Sequence, residues 1–318
     1  MNSTAQQIKI HLQKELSKVM VGTEAHLDML AIGIISGGNL LISGAPGTGK
    51  TLLSKSLIQL LGQGSARIDC GNDIEFTNIL HAVTGGLPNT GAQKNNPLFY
   101  LVGLNRLTPN TQAILLPVME EHLLLNHGEV IKLHHDLRLI ATFDPGCFED
   151  TYPLLEALLD RFYICLPMPY PNPEQQRELL KSHTYPLVAG EQGDTPDLTP
   201  LSAEQIMQAR EQVKTVTVTD AVYGYVIQIV QSLRHHQDIQ HGASQRGSLS
   251  IINAAKIHAT LMERDYVNPD DVQAVIVACL GHRLQLNSDA LISGAQISEI
   301  ITSVVQQTEL PQNAPDQN

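Results

Sequence analysis

Apolar spacing sets the first element of the chain. Ile8, Ile10, Leu12, Leu16 and Val19 fall among Gln, Lys and Glu at intervals mostly near three and four, which predicts an amphipathic helix over 5–19. Val21-Gly22-Thr23-Glu24 then reads as a turn and helix start, and a second helix runs to Ile35, where Gly37-Gly38 stops it. Beyond that point the period changes. Asn39 to Ser43 is a short apolar run bounded by glycines, the pattern of a strand buried on both faces. Similar runs recur at 66–69, 98–104, 137–142 and 162–166, with helical spacing between them at 50–61, 110–119 and 152–159. This alternation predicts an α/β layered domain with a parallel sheet. Two stretches interrupt it: 85–97 is rich in Gly and Asn and reads as an exposed loop, and 123–133, around Asn126-His127-Gly128, reads as a β-hairpin.

Pro167, Pro169, Pro171 and Pro173 alternate with other residues, a spacing that neither a helix nor a central strand accommodates. After Pro173 strand signals fade, and helical periods occupy 174–183, 202–213, 219–234, 244–264 and 269–282. Thr217-Val218-Thr219-Asp220 and Asn268-Pro269-Asp270-Asp271 are helix-start signatures. The expected organisation is an α/β domain over 1–172, an all-helical domain over 173–307 with a flexible link at 190–200, and a disordered polar tail over 308–318.

One stretch carries chemistry. Gly44-Ala45-Pro46-Gly47-Thr48-Gly49-Lys50-Thr51 fits G-x-x-x-x-G-K-[ST] and sits between a predicted strand and a predicted helix that continues through Leu52. Strand, Gly-rich turn and helix start point successive backbone N–H groups and the helix's positive end at one spot, which suits phosphates. Lys50 would reach the β- and γ-phosphates, and the Thr51 hydroxyl would hold Mg²⁺. ATP or ADP with Mg²⁺ is the expected cofactor set, on a P-loop fold.

Composition narrows the partners. Net charge is −12 without a basic run, which disfavours a phosphate-tracking nucleic-acid binder, and the absence of Trp removes a stacking platform. Cys70, Cys147, Cys165 and Cys279 are scattered, as in reduced core cysteines of a cytoplasmic protein. His134-His135 and His235-His236 stand among 13 histidines without a metal-site spacing. The start lacks a signal-peptide pattern, and no apolar stretch approaches a membrane span.

The phosphate loop, Leu104-Asn105-Arg106, Met119-Glu120-Glu121, Thr151-Tyr152-Pro153 with Glu156, Asp160-Arg161-Phe162, and Gly242-Ala243-Ser244 with Arg246 come in an order and spacing that resemble the MoxR family of AAA+ ATPases. The resemblance runs from about Val19 to Arg283. It implies a P-loop α/β sandwich with a C-terminal helical lid, six subunits to a ring, and ATP between neighbours. It also implies a chaperone-like role in maturing a client complex, often with a partner carrying a von Willebrand factor A domain. By position, Arg161 would be the arginine finger reaching a neighbour's γ-phosphate, Arg246 the lid arginine sensing nucleotide within its own subunit, and Val21-Gly22 would lie by the adenine. An arginine finger is worth roughly 10³ to 10⁵ in rate in related phosphoryl transfers.

The pattern departs where hydrolysis needs it. The family's Walker B carboxylates, which organise Mg²⁺ and orient the attacking water, stand at positions occupied here by Val102 and Gly103. No Asp or Glu occurs between Phe76 and Met119, although the chain holds 32 acids in 318 residues, so a shifted alignment does not restore them. Asp144 replaces the sensor asparagine, and Pro117 should cost the helix after Asn105-Arg106 a hydrogen bond or kink it. Three readings stand: a nucleotide-binding scaffold or silent subunit of a homomeric or mixed ring, with hydrolysis weak or lost; an active ATPase using Asp144; and, on the phosphate loop alone, a small-molecule kinase.

Overall fold

A computed structural model describes residues 3–62, 65–75, 77–79, 98–126, 129–146, 149–182 and 197–311. The expected loop at 85–97, the hairpin tip at 127–128, most of the link at 190–200 and the tail beyond Pro311 lie outside the described residues.

Helix α1 (Thr4–Leu16) starts where the Ser3 side chain accepts the Gln6 N–H. A 3₁₀ turn at Glu24–His26 leads into α2 (Leu27–Ser36), which ends on Gly37 in the left-handed conformation. There follow β1 (Asn39–Ser43), α3 (Lys50–Leu61), β2 (Ser65–Asp69) and β3 (Leu98–Val102). Next come α4 (Pro109–Glu121), the hairpin β4 (Leu123–Asn126) and β5 (Glu129–Lys132), β6 (Arg138–Phe143), α5 (Glu156–Leu159) and β7 (Phe162–Pro167). The main sheet has the order β2-β3-β6-β1-β7, and every pair in it is parallel.

Strands β1, β3 and β6 split their side chains between two apolar layers, whereas the edge strand β2, expected to be buried on both faces, buries only Ala66 and Ile68 and exposes Ser65, Arg67 and Asp69. Leu40, Ile42, Leu98 and Tyr100 face the layer holding α1, α2 and α3, while Leu41, Phe99 and Leu101 face Leu115 and Val118 of α4. This two-sided burial is why the inner strands read as unbroken apolar runs.

Three expectations shift. The run at 98–104 leaves the sheet after Val102, because Gly103 turns with φ +76° into a 3₁₀ turn at Leu104–Arg106. The helix expected from residue 152 begins only at Glu156. Pro153 disfavours a helical Tyr152, and buried Gln112 holds the segment extended by donating to the Pro153 carbonyl and accepting the Leu155 N–H. Helix α4 continues through Pro117; the carbonyl deprived of a donor belongs to Ala113, which is exposed to water.

The C-terminal part comprises α6 (Pro173–Ser182), α7 (Ala203–Thr215), α8 (Asp220–Arg234), α9 (Gln245–Leu261), α10 (Pro269–Leu280), α11 (Ser288–Ser293) and α12 (Ile297–Gln307). A short antiparallel pair, β8 (Ile239–His241) and β9 (Gln285–Leu286), was not evident from periodicity because neither strand is long enough to show one. All of these helices except α6 share one continuous apolar core with α1 and α2, and α1 packs against α2, α7 and α9. Asn268 and Asp271 form the capping box of α10, while His282 and Arg283 just beyond that helix both bond the Phe162 carbonyl at the start of β7.

Candidate nucleotide site and arginine cluster

The phosphate loop leaves the C-terminal end of β1. Gly47 and Gly49 hold φ of +79° and +90°, a region open to glycine and costly to other residues. A side chain at Gly44 would strike the Met168 carbonyl, since a Cβ there would stand 2.5 Å from it. Helix α3 begins at Lys50 with no side-chain cap, so its first N–H groups are available to an anion. Lys50 folds back on the loop, donating to the carbonyls of Gly44 at 2.5 Å and Ala45 at 2.7 Å. Burial lowers its pKa, and the nearby charge of Asp144 opposes that shift. Thr48 closes the turn by donating to the Ala45 carbonyl at 2.9 Å, Pro46 is exposed, and Thr51 is exposed in the first turn of α3.

A cavity of about 660 Å³ extends from this loop. Val21, Gly22, Gly47 to Leu52, and Pro169 to Pro171 line it, and α6 closes one side with Gln175 and Leu179. Gly22 has φ +80°, and a Cβ there would lie 2.5 Å from the Gln175 Nε2, so glycine lets α6 approach the turn. Burial lowers the pKa of His26, which is also on the wall. Gln175 and His26 were not singled out by sequence, since neither belongs to a motif. Apolar walls leading to a ring of N–H donors fit a nucleoside with a phosphate tail.

The neighbouring strand ends are arranged differently. β6 lies between β1 and β3, and Asp144 follows it directly, accepting the Gly146 N–H at 3.0 Å. Asn105 is buried and donates to the Asp144 carbonyl at 3.0 Å, tying the ends of β3 and β6 together. Val102 pairs in register with Thr142, and the Gly103 N–H reaches the Thr142 hydroxyl at 3.1 Å. Among the described residues, the Thr51 hydroxyl at the start of α3 and the Asp144 carboxylate near Lys50 are oxygen groups a divalent cation could use, and the side chains of Val102 and Gly103 offer none. The residues suit a phosphate chain fully and Mg²⁺ in part.

Arg161 and Arg246 come together, but at the opposite edge of the sheet. Arg161 immediately precedes β7, which runs parallel to β1, and its carbonyl accepts from Asn39 at the start of β1. Strand β1 alone puts about 13 Å between that edge and the phosphate loop, at roughly 3.3 Å per residue. Arg246, at the start of α9, bonds Glu120, as Arg161 does, and reaches Asp160 at 3.4 Å. The lid thus docks Arg246, expected from the resemblance to sense its own subunit's nucleotide, beside Arg161 on Glu120 and Asp160. Asp160 also accepts from Ser244 at 2.6 Å and from Arg283 at 3.2 Å. Glu120 and Asp160 stood in the sequence motifs without a role, and Arg283 marked only the end of the resemblance; their charge pairing depends on folding.

Among the described residues, His134, His135 and Asp136 form the one group with metal-ligand proximity. Asp136 also faces Arg138 and Arg210, whose charges compete with a cation. Cys70, Cys165 and Cys279 are unpaired thiols raised by burial to about 12, 11 and 12, which makes them inert.

Family models match this architecture. Residues 39–164 match the ATPase family associated with various cellular activities (AAA), and residues 231–304 match the AAA lid domain. The chain is 30% identical to chaperone MoxR1 of Mycobacterium tuberculosis over 94% of its own length and 81% of that protein's. It belongs to the MoxR family of AAA+ ATPases. The uncharacterized protein YeaC of Bacillus subtilis is also 30% identical, over 94% of this chain and 93% of that one. The MoxR fold itself extends to a crystal structure of a candidate ATPase from Cytophaga hutchinsonii, with TM-score 0.79, 24% identity, and coverage of 96% and 97% of the two chains. Among the described residues no helix is long and apolar enough to cross a membrane.

Proposed function

We propose that this chain is a nucleotide-holding subunit of an oligomeric AAA+ ring, binding ATP or ADP with Mg²⁺ at Gly44 to Leu52 and hydrolysing it weakly or not at all. The observation that carries this reading is the end of β3. Val102 and Gly103 supply no carboxylate there, and Gly103 holds a left-handed φ of +76° that a glutamate would adopt only under strain. The binding half, by contrast, keeps every glycine, the lysine and the threonine of its motif. Arg161 and Arg246 would then serve a neighbour's nucleotide, so a subunit silent at its own site still supports an active relative in a mixed ring. The chaperone name of MoxR1 supports a chaperone-like role; maturation of a client complex in the cytoplasm, with a von Willebrand factor A domain protein as partner, is part of the same proposal.

A second reading makes the chain an active ATPase through Asp144. The favouring observation is the closeness of Asp144 to Lys50, beside the loop on the strand next to β1. Phosphate release and thermal shift with Mg²⁺ and ATP, run on the wild type, Lys50→Ala and Asp144→Asn, separate the two. A thermal shift lost in Lys50→Ala, with no turnover above that variant, is the expected result. Turnover that both substitutions abolish would replace the first reading with the second.

A further inference from the structure

The arginine cluster has two halves of unequal firmness. In the lower half, Arg283 is 3% exposed and bonds the Phe162 carbonyl at 2.6 Å, while its Nε reaches Asp160, which Ser244 also holds. That half fastens the lid to β7. In the upper half, Glu120 is 39% exposed and bridges Arg161 through one carboxylate oxygen and Arg246 through the other. Ion pairs this open to water are weak and exchange readily.

Arg161 is turned inward. Its side chain is only 16% exposed, Nη1 donates to the Ala157 carbonyl, Nη2 is taken by Glu120, and Nε is buried with no partner among the described residues. A guanidinium that serves a phosphate on another molecule must present its two-pronged edge outward. The buried Nε is a cost of the inward position that release would relieve. A terminal phosphate, with more charge and more acceptor oxygens than one carboxylate, competes with Glu120 for both arginines.

We propose that Glu120 is a positioning residue that keeps Arg161 and Arg246 retracted in the free subunit and yields both to a neighbouring copy's triphosphate when subunits meet. The proposal rests on the reading above that these arginines serve a neighbour. Glu120 thereby makes exposure of the finger conditional on a nucleotide-bearing partner, while the Asp160–Arg283 half keeps the lid in place throughout.

The first test needs no assembly. Labelling the intact chain with phenylglyoxal and reading peptide masses, Glu120→Gln should raise modification of Arg161 and Arg246 roughly three- to tenfold, leaving Arg283 unchanged. Unchanged labelling at Arg161 overturns the proposal. Glu120→Gln should keep the wild-type unfolding curve, which separates release of the arginines from general loosening. In sedimentation with Mg²⁺ and a non-hydrolysable ATP analogue, the same variant should associate at roughly three- to tenfold lower concentration than wild type, and Arg161→Ala should not associate. Association of Arg161→Ala equal to wild type would defeat the neighbour reading, while labelling still decides the retraction. Loss in Arg161→Ala with no gain in Glu120→Gln would overturn the hand-over.

Discussion

Two charged clusters in this molecule use the same chemistry to different ends. Asp271 is wholly buried: Arg264 gives it two hydrogen bonds at 2.6 and 2.7 Å, His258 a third at 2.6 Å, and the Asn268 N–H a fourth at 2.9 Å. All four contacts come from residues 258 to 268, within one helical layer. Glu120, by contrast, is part exposed and joins Arg161 beside the sheet to Arg246 of the helical part, and Arg161 Nε has no partner among the described residues. A closed, saturated cluster can only brace. An open one with a spare donor can exchange partners, and that difference separates structure from function here.

Removing the brace should cost most. Asp271→Ala leaves the half-buried Arg264 without its counter-charge and empties a wholly buried site, and should lower unfolding free energy by about 3 kcal/mol in urea titration. A loss under about 1 kcal/mol would erase the contrast between the clusters.

Acid attacks the seam between the clusters next. Burial pushes His282 down to about 3, so it stays neutral while it bonds the Phe162 carbonyl. A depressed histidine pKa means that the unfolded chain takes up a proton first. Stability is therefore full above about pH 6.5 and falls as pH drops from there towards the folded value. At pH 4.5 the loss should be about 2 to 3 kcal/mol, and His282→Gln should flatten that window.

At the phosphate loop the counter-charge must come from outside. Nucleotide at a hundredfold excess over its dissociation constant should stabilise wild type by about 2.7 kcal/mol, and Lys50→Ala should lose most of that gain in thermal shift. Gly103→Glu should cost about 1 to 2 kcal/mol through its left-handed backbone, with Arg106 only 3.4 Å from the added Cβ. Stability unchanged by that substitution would mean that the end of β3 tolerates a carboxylate. The smallest effect belongs to the open cluster, where Glu120→Gln should move unfolding free energy by less than about 1 kcal/mol.

Much of this was legible in residue order. The inner strands of the main sheet follow apolar runs such as Leu40-Leu41-Ile42, and the phosphate loop follows its glycines, because both are local patterns, while β2 shows the half-buried alternation of an edge strand. Helix α12 was legible too, through Ile297, Ile300, Ile301, Val304 and Val305, although no helical period was assigned there. What residue order could not carry was the side of the molecule on which the lid docks. Arg246 lies 85 positions from Arg161 in sequence, and contacts of the lid with Phe162, Asp160 and Glu120 bring the two together. The late start of α5 had the same origin, since Gln112 reaches the 153–155 segment from another element.

The first helix bears on modularity. Because α1 lies against α2 on one side and against α7 and α9 on another, it is a keystone shared by the α/β and helical layers rather than the property of either. A fragment ending near Pro173 would strip α1 of two neighbours, and a fragment starting there would lack α1 altogether; each would open Ile8, Leu12 or their partners to water. A swap of lids between relatives would therefore have to carry the first helix with it.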